Sequence, residues 1–281
     1  MSASDLTDLS RCAVHTFTNK PWSLRQCIEA YAAAGIPAVS VWRNVIDPAQ
    51  GGVTPAEGAK MLADAGLKVP ALVRGGFFPA HGRADRDKAV DENRRCLDEA
   101  MAIGAEMLVL VVGAVPGLEL AEARQHVTDG IAACLEHAED SGVKLAIEPL
   151  HPMYAADKSC INRMAEARAV CEQLNHPKLG IAVDVYHTWW DPDLEQEIRT
   201  AGDNGWLLAF HVCDWRVHTR DLLTDRGLMG DGCIDVPTIR GWVEAAGFQG
   251  FNEVEVFSEE YWAWDQHNYL DRIVQAYLNN T

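Results

Sequence analysis

Short apolar runs alternate with amphipathic stretches eight times along the chain, and no other sequence feature restricts the fold as strongly. Each run has the length and residue types of a buried strand, and each amphipathic stretch has helical spacing. Successive strand–helix units predict parallel strands, in a closed barrel or a doubly wound sheet. The predicted strands are residues 12–16, 38–42, 68–74, 107–113, 144–150, 180–186, 207–214 and 250–257. The predicted helices lie near 23–34, 54–65, 84–103, 119–141, 162–175, 193–203, 236–246 and 262–278.

Glycines separate the predicted units. Five of them follow a predicted helix and precede a predicted strand, where a C-terminal helix cap is expected: Gly35, Gly66, Gly104, Gly142 and Gly247. No linker, repeat or low-complexity segment interrupts the series, so we expect one domain over residues 1–281. That length is typical of a (β/α)8 barrel, which commonly takes roughly 250 residues.

The charge of the chain narrows the choice of partners. A formal net charge of −17 argues against nucleic acid and against anionic membrane surfaces, because both select clustered lysine and arginine. A local basic pocket is still compatible with this charge, so phosphorylated substrates remain open.

Cysteine use and hydropathy indicate the compartment. The 8 cysteines are scattered without a Cys-x-x-Cys pair, which predicts reduced and mostly buried thiols. Residues 1–5 show no basic or apolar part of a signal peptide, and no apolar run of about 18 residues exists. We therefore expect a cytoplasmic protein without a membrane span.

Four predicted strands carry an acid or a histidine near their C-terminal ends, on the face opposite the large apolar residues. Side chains alternate along a strand, so the polar set should point into the barrel while the apolar set packs against the helices. In strand 5, for example, Leu145 and Ile147 oppose Ala146 and Glu148. The four inward residues are Glu148, Asp184, His211 and Glu255.

Three buried carboxylates beside one another are very unfavourable unless a cation compensates them. Three carboxylates and one imidazole form a reasonable ligand set for one divalent ion. The set suits Mn²⁺ or Mg²⁺ and tolerates Zn²⁺ or Co²⁺. We therefore predict that Glu148, Asp184, His211 and Glu255 bind one divalent metal ion.

Four short motifs resemble the xylose-isomerase-like TIM barrels, a superfamily that includes ketose 3-epimerases, hydroxypyruvate isomerase, inosose dehydratase and apurinic endonucleases. The motifs are Ile147-Glu148-Pro149, Asp184-Val185-Tyr186-His187, His211-Val212-Cys213-Asp214 and Glu255-Val256-Phe257. The resemblance covers nearly the whole chain. It implies a single α/β domain, a (β/α)8 TIM barrel, with a metal site at the ends of strands 5 to 8.

The resemblance also implies catalytic roles. Glu148 and Glu255 would be both metal ligands and the acid/base pair, one removing a proton next to a carbonyl and the other returning it. A C–H next to a carbonyl is a weak acid, so the reaction needs a positioned base and a fixed positive charge at the enediolate oxygen. His187 matches the substrate-binding histidine of the family.

Further substrate-binding residues are expected on the same rim. The epimerases carry an arginine near position 216, so Arg216 is the candidate, and His218 and Arg220 compete with it. Other candidates follow strand ends. They are Trp42, Arg43 and His151, with His15 and Arg74 as weaker ones.

One departure from the endonucleases favours a single ion. Those relatives carry an Asp-x-His pair after strand 7 for extra zinc, whereas this chain has Asp225-Arg226-Gly227. Glycine at the histidine position favours one metal ion over three. Together with the acidic charge, this makes DNA repair a poor expectation.

Two enzyme activities and one non-catalytic role fit the motifs. The first is a metal-dependent isomerase or epimerase acting on a sugar or keto-sugar. The second is a lyase on the same site, namely a dehydratase, a 3-keto-glycoside β-eliminating enzyme or a keto-acid decarboxylase. A non-catalytic binding protein would lack a ligand, and all four are present. By resemblance we also expect a homo-oligomer, a dimer or a tetramer.

Overall fold

Eight parallel strands, β1 to β8, close into a barrel in the order β1-β8-β7-β6-β5-β4-β3-β2. This computed structural model describes residues 6–281. The predicted TIM barrel is therefore confirmed. The strands are Cys12–His15, Ala38–Trp42, Ala71–Gly76, Met107–Val111, Lys144–Ile147, Leu179–Asp184, Leu207–Val212 and Asn252–Val254.

Helices fill the connections between the strands. They are α1 (Leu24–Ala33), α2 (Pro55–Asp64), α3 (Arg83–Ile103), α4 (Leu120–Ala132), α5 (Leu135–Ser141), α6 (Met164–Leu174), α7 (Val185–Thr188), α8 (Leu194–Asp203), α9 (Val236–Ala245), α10 (Glu259–Trp262) and α11 (Gln266–Asn280). The five predicted capping glycines all adopt positive φ, between 70° and 93°. Glycine suits these positions because it has no Cβ to oppose a left-handed backbone.

The core has two parts, as the alternation of side chains predicts. Leu145, Ile147 and the other large apolar residues of the strands pack against the helices. Ala146, Ala182 and Ala209 lie in a smaller inner cluster with residues of β3 and β4. These alanines lie two residues before Glu148, Asp184 and His211, on the same inward face of their strands.

Several elements depart from the sequence prediction. Strands β4, β5, β7 and β8 end two or three residues earlier than predicted, and three other elements also differ. Strand β6 ends at Asp184, because its carboxylate accepts a hydrogen bond from the Tyr186 amide at 2.7 Å and begins α7 there. Strand β3 spans Ala71–Gly76 and contains a bulge between Val73 and Gly75. The helix predicted over residues 119–141 is two helices, α4 and α5.

The thiols and the helices bear on the predictions about compartment. All eight cysteines are free, and Cys233 alone is exposed. Within residues 6–281, no helix combines the length and apolar character that crossing a membrane requires. The signal-peptide prediction concerned residues 1–5, which lie outside the described part of the chain.

Candidate active site and metal centre

The four residues predicted from the strand ends meet at the C-terminal end of the barrel. Ligand atoms of Glu148, Asp184, His211 and Glu255 all lie within 4.8 Å of one another, and all four side chains are buried. We call these four residues the ring. Their strands are neighbours in the order β5, β6, β7 and β8, so Glu148 and Glu255 belong to the outer two of the four strands.

Basic groups balance the ring carboxylates. The Nδ1 atom of His211 lies 2.8 Å from Glu148 Oε1. The guanidinium of Arg226 donates hydrogen bonds to Glu255 Oε2 at 2.9 Å and to Asp184 Oδ2 at 3.2 Å. Buried carboxylates at this spacing require such compensation.

Burial and neighbouring charges shift the ring's proton affinities. Burial raises the pKa of Asp184 to about 7, against the effect of Arg226. Burial lowers the pKa of His211, but the hydrogen bond with Glu148 and the charge of Glu253 outweigh it and raise this pKa to about 10. Burial opposes ionisation of Glu255, yet His15 and Arg226 hold its pKa well below the usual range.

Arg226 is a site residue that the sequence analysis missed. It lies in the long segment after β7, where Arg226–Gly227 pairs antiparallel with Asp214–Trp215. Its guanidinium is buried between the rings of Tyr186 and Phe257, 4.4 and 4.5 Å from their centroids. The sequence motif there is Asp225-Arg226-Gly227, in which Gly227 replaces a metal-binding histidine of the endonucleases, and no role is predicted for the arginine between the two positions. No periodic pattern in that segment marks Arg226 as buried.

A second polar layer lies beneath the ring. Glu253 accepts a hydrogen bond from Ser40 Oγ at 2.5 Å, and its Oε2 lies 3.4 Å from His15 Nε2 and 3.9 Å from His211 Nε2. His15 Nδ1 in turn lies 3.1 Å from Glu255 Oε1. All of these side chains are buried. His211 thus faces Glu148 with one ring nitrogen and Glu253 with the other.

This arrangement fits a divalent cation. The ring offers three carboxylates and one imidazole nitrogen, all converging on one place. The far nitrogen of His211 faces a buried carboxylate, which is the usual partner of a metal-binding histidine. The donor set contains no thiolate, so hard or borderline ions suit it. Metal binding by the ring remains a prediction.

A cavity of about 290 Å³ opens above the ring. Glu148 and Glu255 line it, whereas Asp184 and His211 are not among its lining residues. Aromatic side chains form much of its wall. They are Phe17, Trp42, Tyr154, Phe257 and Trp262. A larger surface depression between α1 and α11, about 420 Å³, lies away from the ring and contains none of its residues.

Three of the predicted substrate-binding residues line the cavity, namely Trp42, His187 and the weaker candidate Arg74. The Trp42 indole donates a hydrogen bond to His15 Nδ1 at 3.2 Å. His187 is buried, with Nε2 3.3 Å from the Arg226 guanidinium. Burial and the charge of Arg226 hold the pKa of His187 well below its usual value, so the imidazole of His187 is neutral.

Arg43 and His151 do not line the cavity. Arg43 pairs with Glu99 on α3, donating from Nη2 at 2.8 Å, because the chain turns into a 3-10 helix directly after Trp42. The His151 ring packs against Trp215, with 5.0 Å between centroids, and accepts a hydrogen bond from the Met153 amide.

The arginine predicted near position 216 is also placed elsewhere. Arg216 donates to Glu260 at 2.8 Å and lies over the Tyr261 ring, 4.6 Å from its centroid. Arg220 donates to the same Glu260. Neither arginine lines the cavity, nor does His218. Arg226 takes the place beside the ring because the antiparallel pairing brings the returning arm of the segment inward.

The fold is that of a known family. A family model described as the xylose isomerase-like TIM barrel matches residues 28–274. The match covers most of the chain, and the chain therefore belongs to the xylose isomerase-like TIM barrel family.

Individual relatives are enzymes of more than one reaction class. A 3-dehydroshikimate dehydratase from Pseudomonas putida is 26% identical over 248 residues, 84% of this chain and 36% of that protein. The chain thus spans little more than a third of that relative's length. An L-ribulose-5-phosphate 3-epimerase from Shigella boydii is 24% identical over 204 residues, 70% of this chain and 68% of that protein.

Solved structures show the same barrel. A Sinorhizobium meliloti 1021 protein is 44% identical, with a TM-score of 0.91 over 96% of this chain and 98% of that chain. The zinc-binding IolI protein is 18% identical, with a TM-score of 0.81 over 95% of this chain and 96% of its own. At that identity the likeness to IolI shows the fold alone.

Proposed function

We propose that this protein is a divalent-metal-dependent isomerase or epimerase that moves a proton next to the carbonyl group of a small sugar or keto-sugar. The observation that carries the proposal is the position of Glu148 and Glu255. They are the two ring carboxylates that line the cavity, and they follow β5 and β8, the outer two of the four neighbouring strands. A substrate in the cavity lies above both carboxylates, so one of them removes a proton and the other returns it.

The residues of the site suit this chemistry. His15 and Arg226 outweigh the effect of burial and hold the pKa of Glu255 well below its usual range, so Glu255 is in the carboxylate form that a metal ligand or a base requires. Neutral His187 faces the cavity and is suited to bind a hydroxyl or carbonyl oxygen. The aromatic wall excludes water and packs against the carbon skeleton of the substrate. A bound divalent cation supplies positive charge that favours loss of a proton beside the carbonyl.

A lyase is the second candidate, and the dehydratase relative at 26% identity favours it. After the same proton removal, loss of a β-substituent gives dehydration or cleavage, whereas return of the proton gives an isomer. The epimerase relative at 24% identity supports the second outcome. The product formula distinguishes them, because an isomer keeps the formula of the substrate.

The bound metal and the assembly remain predictions. The carboxylate-rich ring favours Mn²⁺ or Mg²⁺, and the zinc in the IolI structure keeps Zn²⁺ among the ions to test. We also propose a homo-oligomeric state, from the family resemblance, and a cytoplasmic location, from the cysteine use and hydropathy of the sequence.

Proton exchange tests the function directly. The purified chain with Mn²⁺ is incubated with ketoses and 3-keto-glycosides in D₂O, and NMR follows deuterium uptake and products. We expect exchange that falls at least about 100-fold in Glu148→Gln and in Glu255→Gln, because each variant loses a proton-transfer group. Glu122→Gln, an exposed change on α4, is the matched control. Exchange that survives in Glu255→Gln removes the acid/base assignment, and no exchange with any compound removes the scheme.

A further inference from the structure

Four cationic side chains line the cavity, and they differ in their partners: Lys20, Arg74, Lys158 and Arg226. Arg226 binds the ring carboxylates. Lys158 lies 2.7 Å from Asp157. Across residues 6–281, neither Arg74 nor Lys20 makes an ion pair or a hydrogen bond. Arg74 and Lys20 are therefore the two cations of the cavity that no carboxylate contacts at ion-pair distance, although Glu148 and Glu255 attract Arg74 from further away.

Arg74 reaches the cavity through an irregularity in β3. The bulge between Val73 and Gly75 displaces it from the regular register, and bulges commonly redirect a side chain beside an active site. Its guanidinium lies 4.8 Å from the centroid of Phe77 and 5.9 Å from that of Trp42. These rings support the flat face of the guanidinium and leave its N–H groups for a ligand.

Lys20 approaches the same cavity from the loop after β1. Its Nζ lies 4.3 Å from the centroid of Trp262 and 5.5 Å from that of Phe17. Both rings belong to the aromatic wall. The ammonium is exposed, so it can meet a ligand at the mouth of the cavity.

The charge balance of the site leaves these two cations unused. Arg226, His15 and His211 lie among the buried carboxylates of the ring and of Glu253, whereas Arg74 and Lys20 lie outside these close contacts. Arg74 and Lys20 then add positive charge to the cavity of a protein whose net charge is −17. An anionic group on the substrate is the complement that this arrangement lacks.

We infer that the substrate carries a carboxylate, which Arg74 binds and Lys20 assists, at the end of the molecule away from the reacting carbon. This inference rests on the proposed function. A planar guanidinium matches two coplanar carboxylate oxygens. Phosphate sites typically use backbone N–H groups of glycine-rich loops, and among the described lining residues there is no glycine. The volume of about 290 Å³ suits a small acid.

A matched set of three ligands tests the inference. D-Fructose, D-fructuronate and D-fructose 6-phosphate share a carbon skeleton and differ at C6, and calorimetry gives each Kd with and without Mn²⁺. We expect D-fructuronate to bind at least about 10-fold more tightly than D-fructose. Arg74→Gln should raise the Kd of D-fructuronate about 10- to 100-fold, the range for a lost charged hydrogen-bond pair, and change that of D-fructose less than about twofold.

Two further variants locate the cause. Arg74→Lys keeps the charge and loses the planar fork, so it should recover only part of the affinity for D-fructuronate. Arg199→Gln removes an exposed arginine from α8, and its affinities should equal those of the wild type. Circular dichroism and the Mn²⁺ affinity of each variant show whether it folds with an intact ring.

The outcomes separate this inference from the proposed function. Equal binding of D-fructuronate and D-fructose by the wild type overturns the carboxylate site, as does an Arg74→Gln variant that binds both unchanged. Preference for D-fructose 6-phosphate over D-fructuronate assigns the cations to phosphate and also overturns it. Failure of the wild type to bind any divalent ion overturns the proposed function instead, and the ligand comparison without Mn²⁺ still decides the carboxylate site.

Discussion

Glu253 contacts or approaches residues of three other strands. It lies two positions before Glu255 on the same inward face, and therefore one layer deeper in the barrel. There it meets Ser40 from β2, His15 from β1 and the far nitrogen of His211 from β7. His211 Nε2 lies 3.9 Å from this carboxylate and has no hydrogen-bond partner among the described residues, so we expect Glu253 to favour a proton on that nitrogen.

We expect Glu253→Gln to weaken Mn²⁺ or Zn²⁺ binding about 10- to 100-fold, the usual effect of removing such a partner. The amide keeps the volume of the side chain but loses the charge that orients His211. Calorimetric titration of metal into each variant measures the effect, and Glu29→Gln on the surface of α1 is the control. Unchanged metal affinity in a folded Glu253→Gln protein shows that Glu253 does not support the ring.

The segment after β7 is the element that completes the site. It folds around one carboxylate, since Asp214 Oδ2 accepts hydrogen bonds from the Gly230 amide at 3.0 Å and the Gly232 amide at 2.8 Å. The Leu222 carbonyl accepts a hydrogen bond from Tyr154 Oη at 2.8 Å, which ties the tip of the segment to the loop after β5. These bonds hold the strand that carries Arg226.

Asp214→Asn should destabilise the fold by about 1–3 kcal/mol, because an amide NH₂ would face backbone N–H donors that now meet a carboxylate oxygen. Denaturant unfolding measures this change. The same variant should weaken substrate binding in the cavity, because Arg226 belongs to the segment that Asp214 holds in place. Asp203→Asn, an exposed change on α8, is the control, and equal stability of the two variants contradicts the role given to Asp214.

At the scale of the whole molecule, the buried ring links metal binding to pH. Asp184 and His211 hold protons with pKa values of about 7 and about 10, the first raised by burial and the second by Glu148 and Glu253 against burial. A cation must displace these protons, so metal affinity rises as the pH increases. A ligand that needs a protonated site would instead bind more weakly as the pH increases.

We therefore expect Mn²⁺ to raise the melting temperature more at pH 8 than at pH 6. A hundredfold excess of free metal over Kd adds about 2.7 kcal/mol of stability, and the excess at a fixed concentration is larger at the higher pH. Thermal unfolding at both pH values, with and without Mn²⁺, measures the difference. Stabilisation that is equal or greater at pH 6 means that no proton leaves the ring when the metal binds.

The pattern of the sequence was sufficient for eight parallel strands and for the inward direction of the ring residues, whereas the closed barrel was predicted from the chain length and the family resemblance. Strand alternation is a local property of the backbone, so the inward direction of Glu148, Asp184 and His211 follows from their neighbours in the chain. The capping glycines likewise mark the ends of helices through their own backbone freedom. Parallel strands in one barrel bring such strand ends to one rim, whatever the loops do.

The tertiary structure alone decided which arginines belong to the site. Arg43 and Arg216 follow strand ends closely, yet acids on α3 and α10 bind them. Arg226 and Arg74 reach the cavity through an antiparallel pairing and a β-bulge. The path of a long loop, and the choice of partner for a flexible cation, depend on contacts between residues far apart in the chain. The local periodicity of the sequence does not predict those contacts.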